Sequence, residues 1–217
     1  NRTQADLSQK FQLEEAVDIL FKMKPPKFDE TVEVAIKLGL DVKKSDQIVR
    51  GAFSLPQGLG KKLRVIVFAK EERYQEALDA GAIEAGGQEL AKKIQDGYQD
   101  FDVVVATPDM MSVVGKLGKI LGPQGKMPSP KTGTVTKEID IAIKEFCAGK
   151  IEFRTDSGGN VHAPMGKRSF EKSALVENIQ SFIEHIKSVK PAAARGTYIQ
   201  GVCISSTMSP GIKVEVR

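Results

Sequence analysis

Apolar positions recur along this chain in three rhythms, and each rhythm predicts an element. Leu13, Ala16, Val17, Leu20 and Phe21 fall three and four apart, which predicts an amphipathic helix over about 12–23. Pro25 and Pro26 stop it, because proline lacks the N–H that a helix interior needs. Val32, Val34, Ile36, Leu38 and Leu40 then repeat in steps of two, the pattern of a half-buried strand. Ile48 to Leu55 predicts a second strand, which Gly51 weakens or marks with a bulge.

After Leu55-Pro56-Gln57-Gly58-Leu59-Gly60 the rhythm changes to short continuous apolar runs. Leu63 to Ala69, broken only by Arg64, and Phe101 to Ala106 read as parallel strands buried on both faces. Helices are predicted over about Glu71–Ala80 and Gln88–Gln95, with Gly81 and Gly97 at their ends. Thr107-Pro108-Asp109 opens another helix. Ile139, Ile143, Phe146 and Cys147 line one more, closed by Gly149. Strand, helix, helix, strand, helix is the order of a doubly wound α/β layer.

From Ile151 the two-residue rhythm returns. IEFRTDSGGNVHAP predicts a hairpin around Ser157-Gly158-Gly159. A helix over about 172–187 follows, on Leu175, Ile179, Phe182, Ile183 and Ile186. Tyr198–Ser205 and Ile212–Val216 predict two last strands, joined by a turn at Met208-Ser209-Pro210-Gly211. The expected architecture has two domains. Residues 1–57 and 151–217 form a discontinuous α+β domain with an antiparallel sheet. Residues 58–150 form an inserted, Rossmann-like three-layer α/β domain. The two crossings, near Gly58–Gly60 and Ala148–Lys150, contain glycine, which permits a hinge.

Composition narrows the function classes. The net charge of +4 is too mild to announce nucleic acid by itself. It is spread unevenly: residues 1–57 carry nine basic and nine acidic side chains, 58–150 carry 14 and 13, and 151–217 carry nine and six. Any backbone contact must therefore use a local basic face. No apolar run approaches the roughly 18 residues of a membrane span, so the expectation is a soluble chain with no membrane partner. The opening NRTQADLSQKFQLEE lacks the basic-then-apolar order of a secretory signal. It also lacks an initiator Met, so a trimmed or only partly observed chain is expected. Cys147 and Cys203 stand apart, as do His162 and His185, so neither a metal cluster nor a catalytic triad is expected. No cofactor is expected either.

The most unusual stretch is Gly115–Thr134, GKLGKILGPQGKMPSPKTGT, with five Gly, three Pro, four Lys and no acid. Mixed Gly and Pro argue for a shaped loop that presents ammonium groups and bare backbone N–H groups to a polyanion or a tight partner surface. A phosphate-cradling P-loop is excluded, because Gly125-Lys126 is followed by Met127 and the first glycine position holds Ile120. Read from residues alone, a solvated connecting loop competes with a binding one.

Four segments carry a resemblance: Ala106–Thr134, Lys27–Gly51, Leu55–Lys61 and Ile151–Lys167. Together they resemble the large-subunit ribosomal protein L-one family, the bacterial or organellar type most closely, over nearly the whole chain. The resemblance implies a discontinuous RNA-binding first domain hinged to an inserted second one. It implies a non-enzymatic component of the large subunit of a cytoplasmic or organellar ribosome, on a mobile stalk beside the tRNA exit site. The implied partners are large-subunit rRNA, the exit-site tRNA and the protein's own messenger, whose translation it represses. Away from the ribosome a monomer is expected. Family members usually begin with a basic segment, so the full protein is expected to be more basic than this chain.

By the same resemblance the RNA face gathers Lys27, Phe28, Glu30 and Thr31, then His162, Gly166, Lys167 and Ser169, then Thr207 and Met208. The chemistry suits RNA. Lys27 and Lys167 can neutralise phosphates, and Thr31, Ser169 and Thr207 can bond 2′-hydroxyls. Phe28 and Met208 offer flat or adaptable apolar contact, and Glu30 can accept from a base amine. Without the resemblance Phe28 serves equally as a core anchor, Lys27 as a solvated charge and His162 as a satisfied polar group. Lys119, Lys126 and Lys131 of the central loop are provisional contacts to RNA or tRNA. The family usually has Thr-Met-Gly-Pro at the last turn, where this chain has Thr207-Met208-Ser209-Pro210, so slightly altered geometry is expected there. Two rivals remain. A nucleotide-binding α/β enzyme suits the fold, but no G-x-G-x-x-G follows either buried run. A scaffold for an acidic protein partner is the other.

Overall fold

A computed structural model of the chain describes residues 9–44, 46–194 and 196–215. In chain order the elements are α1 (Leu13–Lys22), β1 (Thr31–Leu38), β2 (Arg50–Ser54), β3 (Val65–Phe68), α2 (Tyr74–Asp79), β4 (Glu84–Gly86), α3 (Gln88–Gln95) and β5 (Val103–Ala106). There follow α4 (Met111–Val114), α5 (Gly118–Leu121), α6 (Ile139–Ala148), β6 (Lys150–Arg154), β7 (Asn160–Lys167), α7 (Lys172–Ser188), β8 (Ile199–Ser206) and β9 (Ile212–Val214). They divide into two compact units, Asn1–Lys61 with Ile151–Arg217, and Lys62–Lys150.

The first unit is α+β. Its main sheet has the order β7-β1-β8-β9, antiparallel at each pairing, so central β1 is flanked by strands from the far end of the chain. The two-residue rhythm turns one row inward: Val32, Val34, Ile36 and Leu38 of β1 are buried with Val161, Ala163 and Met165 of β7 and Val202 and Ile204 of β8. Helices α1 and α7 pack on that side, α1 through Ala16, Val17 and Leu20. Each such side chain is worth about 1.5–3 kcal/mol when buried. Asn178 of α7, fully buried, is satisfied threefold: it donates to Met165 O (2.8 Å) and Gly58 O (3.1 Å) and accepts from Gln57 N (3.0 Å).

The second unit is α/β with a three-stranded parallel sheet, β4-β3-β5. Strands β3 and β5 are buried on both faces. Ile66 and Phe68 face a core with Leu90 and Ile94 of α3 and with Val114, Leu117 and Leu121, while Val65 and Val67 face Ala77 of α2 and Ile139, Ile143 and Phe146 of α6. Helix α6 ends on Gly149 at φ 115°, a left-handed position that suits glycine.

Four expectations change. The Glu71–Ala80 helix begins as a tight turn over Glu71–Arg73 before α2, and the short strand β4 had no apolar run to announce it. The hairpin around Ser157-Gly158-Gly159 is a turn without a hairpin. Asp156 Oδ1 accepts from Gly158 N and Asn160 N, but β6 pairs with β2 and β7 with β1, and one bridge, Thr155 to Val161, joins the two arms. The start of the Gly115–Thr134 stretch is not loop but helical turns through Leu121, anchored by buried Leu117 and Leu121. The last strand covers Ile212–Val214, and Val216 lies outside the described residues.

Candidate nucleic-acid interface

One end of the four-stranded sheet collects most of the proposed RNA face. Strand register sets Thr31 opposite Lys167, and the next residue, Val32, opposite Ser206. Lys167 Nζ donates to Thr31 Oγ1 at 2.8 Å. Thr31 and Thr207 clasp each other: Thr31 N donates to Thr207 Oγ1 (3.1 Å), and Thr207 N to Thr31 O (3.1 Å). Ser209, where the family usually has glycine, closes the turn by accepting from Ser206 N at 2.8 Å. No described residue other than glycine has a positive φ, so Ser209 sits there without backbone strain.

At the centre lies Glu30, 1% exposed. One carboxylate oxygen pairs with Arg168, and the other accepts from Ser206 Oγ (3.0 Å) and Met208 N (2.9 Å). Burial pushes this carboxyl up, but the bonds from Arg168, Met208 and Ser206 outweigh burial and hold it below the usual glutamate value. This corrects the expected role of Glu30: its oxygens are spent inside the protein and present no acceptor to a base. Gly166 is corrected too. It is buried at φ 149°, and a Cβ there would lie 3.0 Å from side-chain atoms of both Leu175 and Phe170, so it allows close packing instead of facing a ligand. Ser169 is exposed but engaged, its N and Oγ donating to the Asp29 carboxylate at 3.1 and 2.9 Å.

Around this network the contact groups stand out. Phe28 is 53% exposed and Met208 66%. Phe28 lies two residues before Glu30 in the chain, and Met208 is bonded to the Glu30 carboxylate through its N–H. Lys27 is exposed and unpaired among the described residues. His162 is not brought into the cluster. It lies mid-strand opposite Ala35, four residues or roughly 13 Å along the strand from Thr31, on the open face of the sheet, with Nε2 3.6 Å from Asp156.

The three lysines of the central stretch part company. Lys119 and Lys131 are exposed. Lys126 turns inward, donating to Phe101 O at 2.6 Å with its ammonium 4.6 Å from the Phe101 ring centre, so it braces the second unit. Buried Thr132 and Thr134 bond each other at 2.9 Å, and Thr134 Oγ1 also accepts from Ser129 N, which ties the C-terminal part of the stretch to itself.

Arg168 and Asp29 were not among the expected residues. Their partners explain why: Arg168 and Glu30 are 138 residues apart, as far as no local pattern reaches. Among the described residues no helix is long and apolar enough to cross a membrane.

Residues 20–210 match the model of the ribosomal protein L1p/L10e family. The chain is 53% identical over 214 residues to a protein of Thermosipho melanesiensis, covering 98% of this chain and 92% of that one. It is 54% identical over 212 residues to a protein of Protochlamydia amoebophila, covering 98% and 90%. Both relatives are named large ribosomal subunit protein uL1.

Proposed function

The chain belongs to the ribosomal protein L1p/L10e family, and on that premise we propose that its first unit binds large-subunit rRNA at a mobile stalk beside the tRNA exit site. It is a protein of the large ribosomal subunit and not an enzyme. In this reading it assists release of deacylated tRNA, and it represses translation of its own messenger by offering that messenger the same face. It works as a monomer away from the ribosome.

The observation that carries the reading is the exposure of Phe28 and Met208 on two segments that one internally satisfied network joins through Glu30. A folded protein holds two large apolar side chains outward beside Lys27 and Lys167 at no gain to its own core. RNA supplies sugar and base surface for such groups and phosphates for the lysines. Thr31 and Thr207 retain hydroxyl lone pairs for 2′-hydroxyls. In the second unit Lys119 and Lys131 are the side chains free to meet tRNA or rRNA.

The test is a titration against a stalk-type fragment of large-subunit rRNA at two salt concentrations, with Phe28→Ala and Met208→Ala alongside. Binding should weaken with salt by a log–log slope of roughly −0.7 to −0.9 per phosphate. Each substitution should cost about 1–3 kcal/mol of affinity, the range for loss of one aromatic or apolar platform under a base. Weak binding indifferent to salt and to both substitutions would remove the reading.

A further inference from the structure

The peptide between α1 and β1 carries Lys27 and Phe28, and one residue holds both of its feet. Arg168 Nη2 donates to Met23 O (2.6 Å) and Phe21 O (3.1 Å) at the C-terminal end of α1, and more weakly to Leu20 O (3.4 Å), which also accepts from Met23 N. Arg168 Nη1 pairs with Glu30, and Arg168 N donates to Glu30 O at 2.8 Å. The segment from Lys24 to Asp29 is thus an arch with its feet at Met23 and Glu30. Ser169, the next residue after Arg168, holds Asp29 within it. The other oxygen of Glu30 holds the turn that carries Met208, 178 residues away.

We infer that Arg168 is the positioning residue of the RNA face: it sets the arch of Phe28 and the turn of Met208 in one fixed arrangement without touching RNA. The inference rests on the RNA-binding reading above. Three facts carry it. Arg168 has a side chain 11% exposed, and Glu30 one of 1%, so neither charge can reach a phosphate. The planar guanidinium fork sends one nitrogen to the helix carbonyls and the other to the carboxylate, a fixed spread that the single nitrogen of an ammonium does not reproduce. A buried ion pair is also a poor source of stability beside an apolar pair of the same volume, while fixing one arrangement is a use such pairs are known to serve.

The test compares the unmodified chain, Phe28→Ala, Arg168→Lys and the double variant in titrations of the same rRNA fragment at several salt concentrations. Arg168→Lys keeps the charge and loses the fork. It should weaken binding about 10- to 100-fold while the salt slope stays unchanged, because no phosphate contact is lost. Phe28→Ala should cost about tenfold in the unmodified chain and less than about threefold in the Arg168→Lys background, since a ring no longer placed has little left to lose. Equal costs in both backgrounds overturn the inference. So does a slope that falls by about 0.7, because a phosphate contact would then be lost with the fork.

Should Arg168→Lys fold poorly by circular dichroism, Phe28→Ala and Met208→Ala are combined instead. Losses that fall short of multiplying support a shared node, and losses that multiply overturn it. Failure of the unmodified chain to bind the fragment would bring down the RNA reading itself, and this inference with it, and is seen before any variant is made.

Discussion

The proposed RNA end of the first unit and the Gly115–Thr134 stretch of the second build surface in opposite ways. The first is assembled from three segments far apart in the chain, and its polar groups are nearly all consumed in holding one another. What remains outward is apolar: Phe28 and Met208, with Lys27 beside them. The second is one continuous segment whose composition advertises a polyanion site. Yet Leu117, Leu121, Pro128, Thr132 and Thr134 are buried, and Lys126 braces Phe101. The contrast teaches that glycine and lysine density is a poor guide to contact. A segment rich in both can serve its own core, while a contact face can be identified by what its buried charges are occupied in doing.

The largest blow to this comparison should come from Glu30→Ala. It leaves Arg168 buried without its carboxylate, and breaking a buried pair from one side costs about 3–5 kcal/mol. Urea unfolding followed by probes in the first unit should show that loss, with the second unit unaffected. A change under about 1 kcal/mol would mean the network does not hold this end together.

Next comes the second unit. Leu117→Ala should destabilise it by about 2–5 kcal/mol, as truncation of a fully buried leucine does. Lys119→Ala and Lys131→Ala, exposed on the same stretch, should stay within about 0.5 kcal/mol. If Leu117→Ala were as mild as the lysine changes, the stretch would be a surface loop after all.

The smallest effect is a titration. The folded Glu30 carboxyl lies below its ordinary value of 4.5, so the stability it contributes is complete above pH 4.5 and drains away as pH falls below that through the folded value. The Met208 amide, which donates to Glu30, reports it directly. Its NMR shift should move with a midpoint below pH 4.5. A midpoint at or above that value would show burial winning over the bonds from Arg168 and the turn.

Period was the legible part of the fold. Helices α1, α3, α6 and α7 and strands β1 and β8 follow from spacing, because each has one buried row, and β3 and β5 follow from unbroken apolar runs, because both their faces are covered. Strand β4 has three residues and no apolar run, so spacing could not mark it. The hairpin was misread because Asp156 and Gly159 supply true turn chemistry, whereas strand pairing is settled by neighbours over a hundred residues away. The central stretch was misread in its first half. Val114, Leu117 and Leu121 carry a helical spacing that the surrounding glycines obscured, and the packing of those three side chains on Ile66 and Phe68 outweighs the cost of glycine in a helix. In the candidate site, Phe28 and Met208 were named by resemblance, but residue type could not say that they point outward. The inward turn of Glu30 was invisible for the same reason that Arg168 was missed: both depend on partners distant in sequence.

The chain order of β1 has a consequence for how such a protein is made. Strand β1 emerges early in synthesis, yet both of its ladder partners, β7 and β8, belong to the last third of the chain. The second unit, by contrast, is contiguous and complete once residue 150 has been added. Synthesis runs from the N-terminus, and non-local pairing waits for its partners. The inserted unit can therefore close first, and the face that holds Phe28 and Met208 forms only after it. Until the turn at Met208 has emerged, a nascent chain carries the arch of Phe28 without the surface that completes it, and a product truncated before that turn would lack the face to which RNA binding is proposed here.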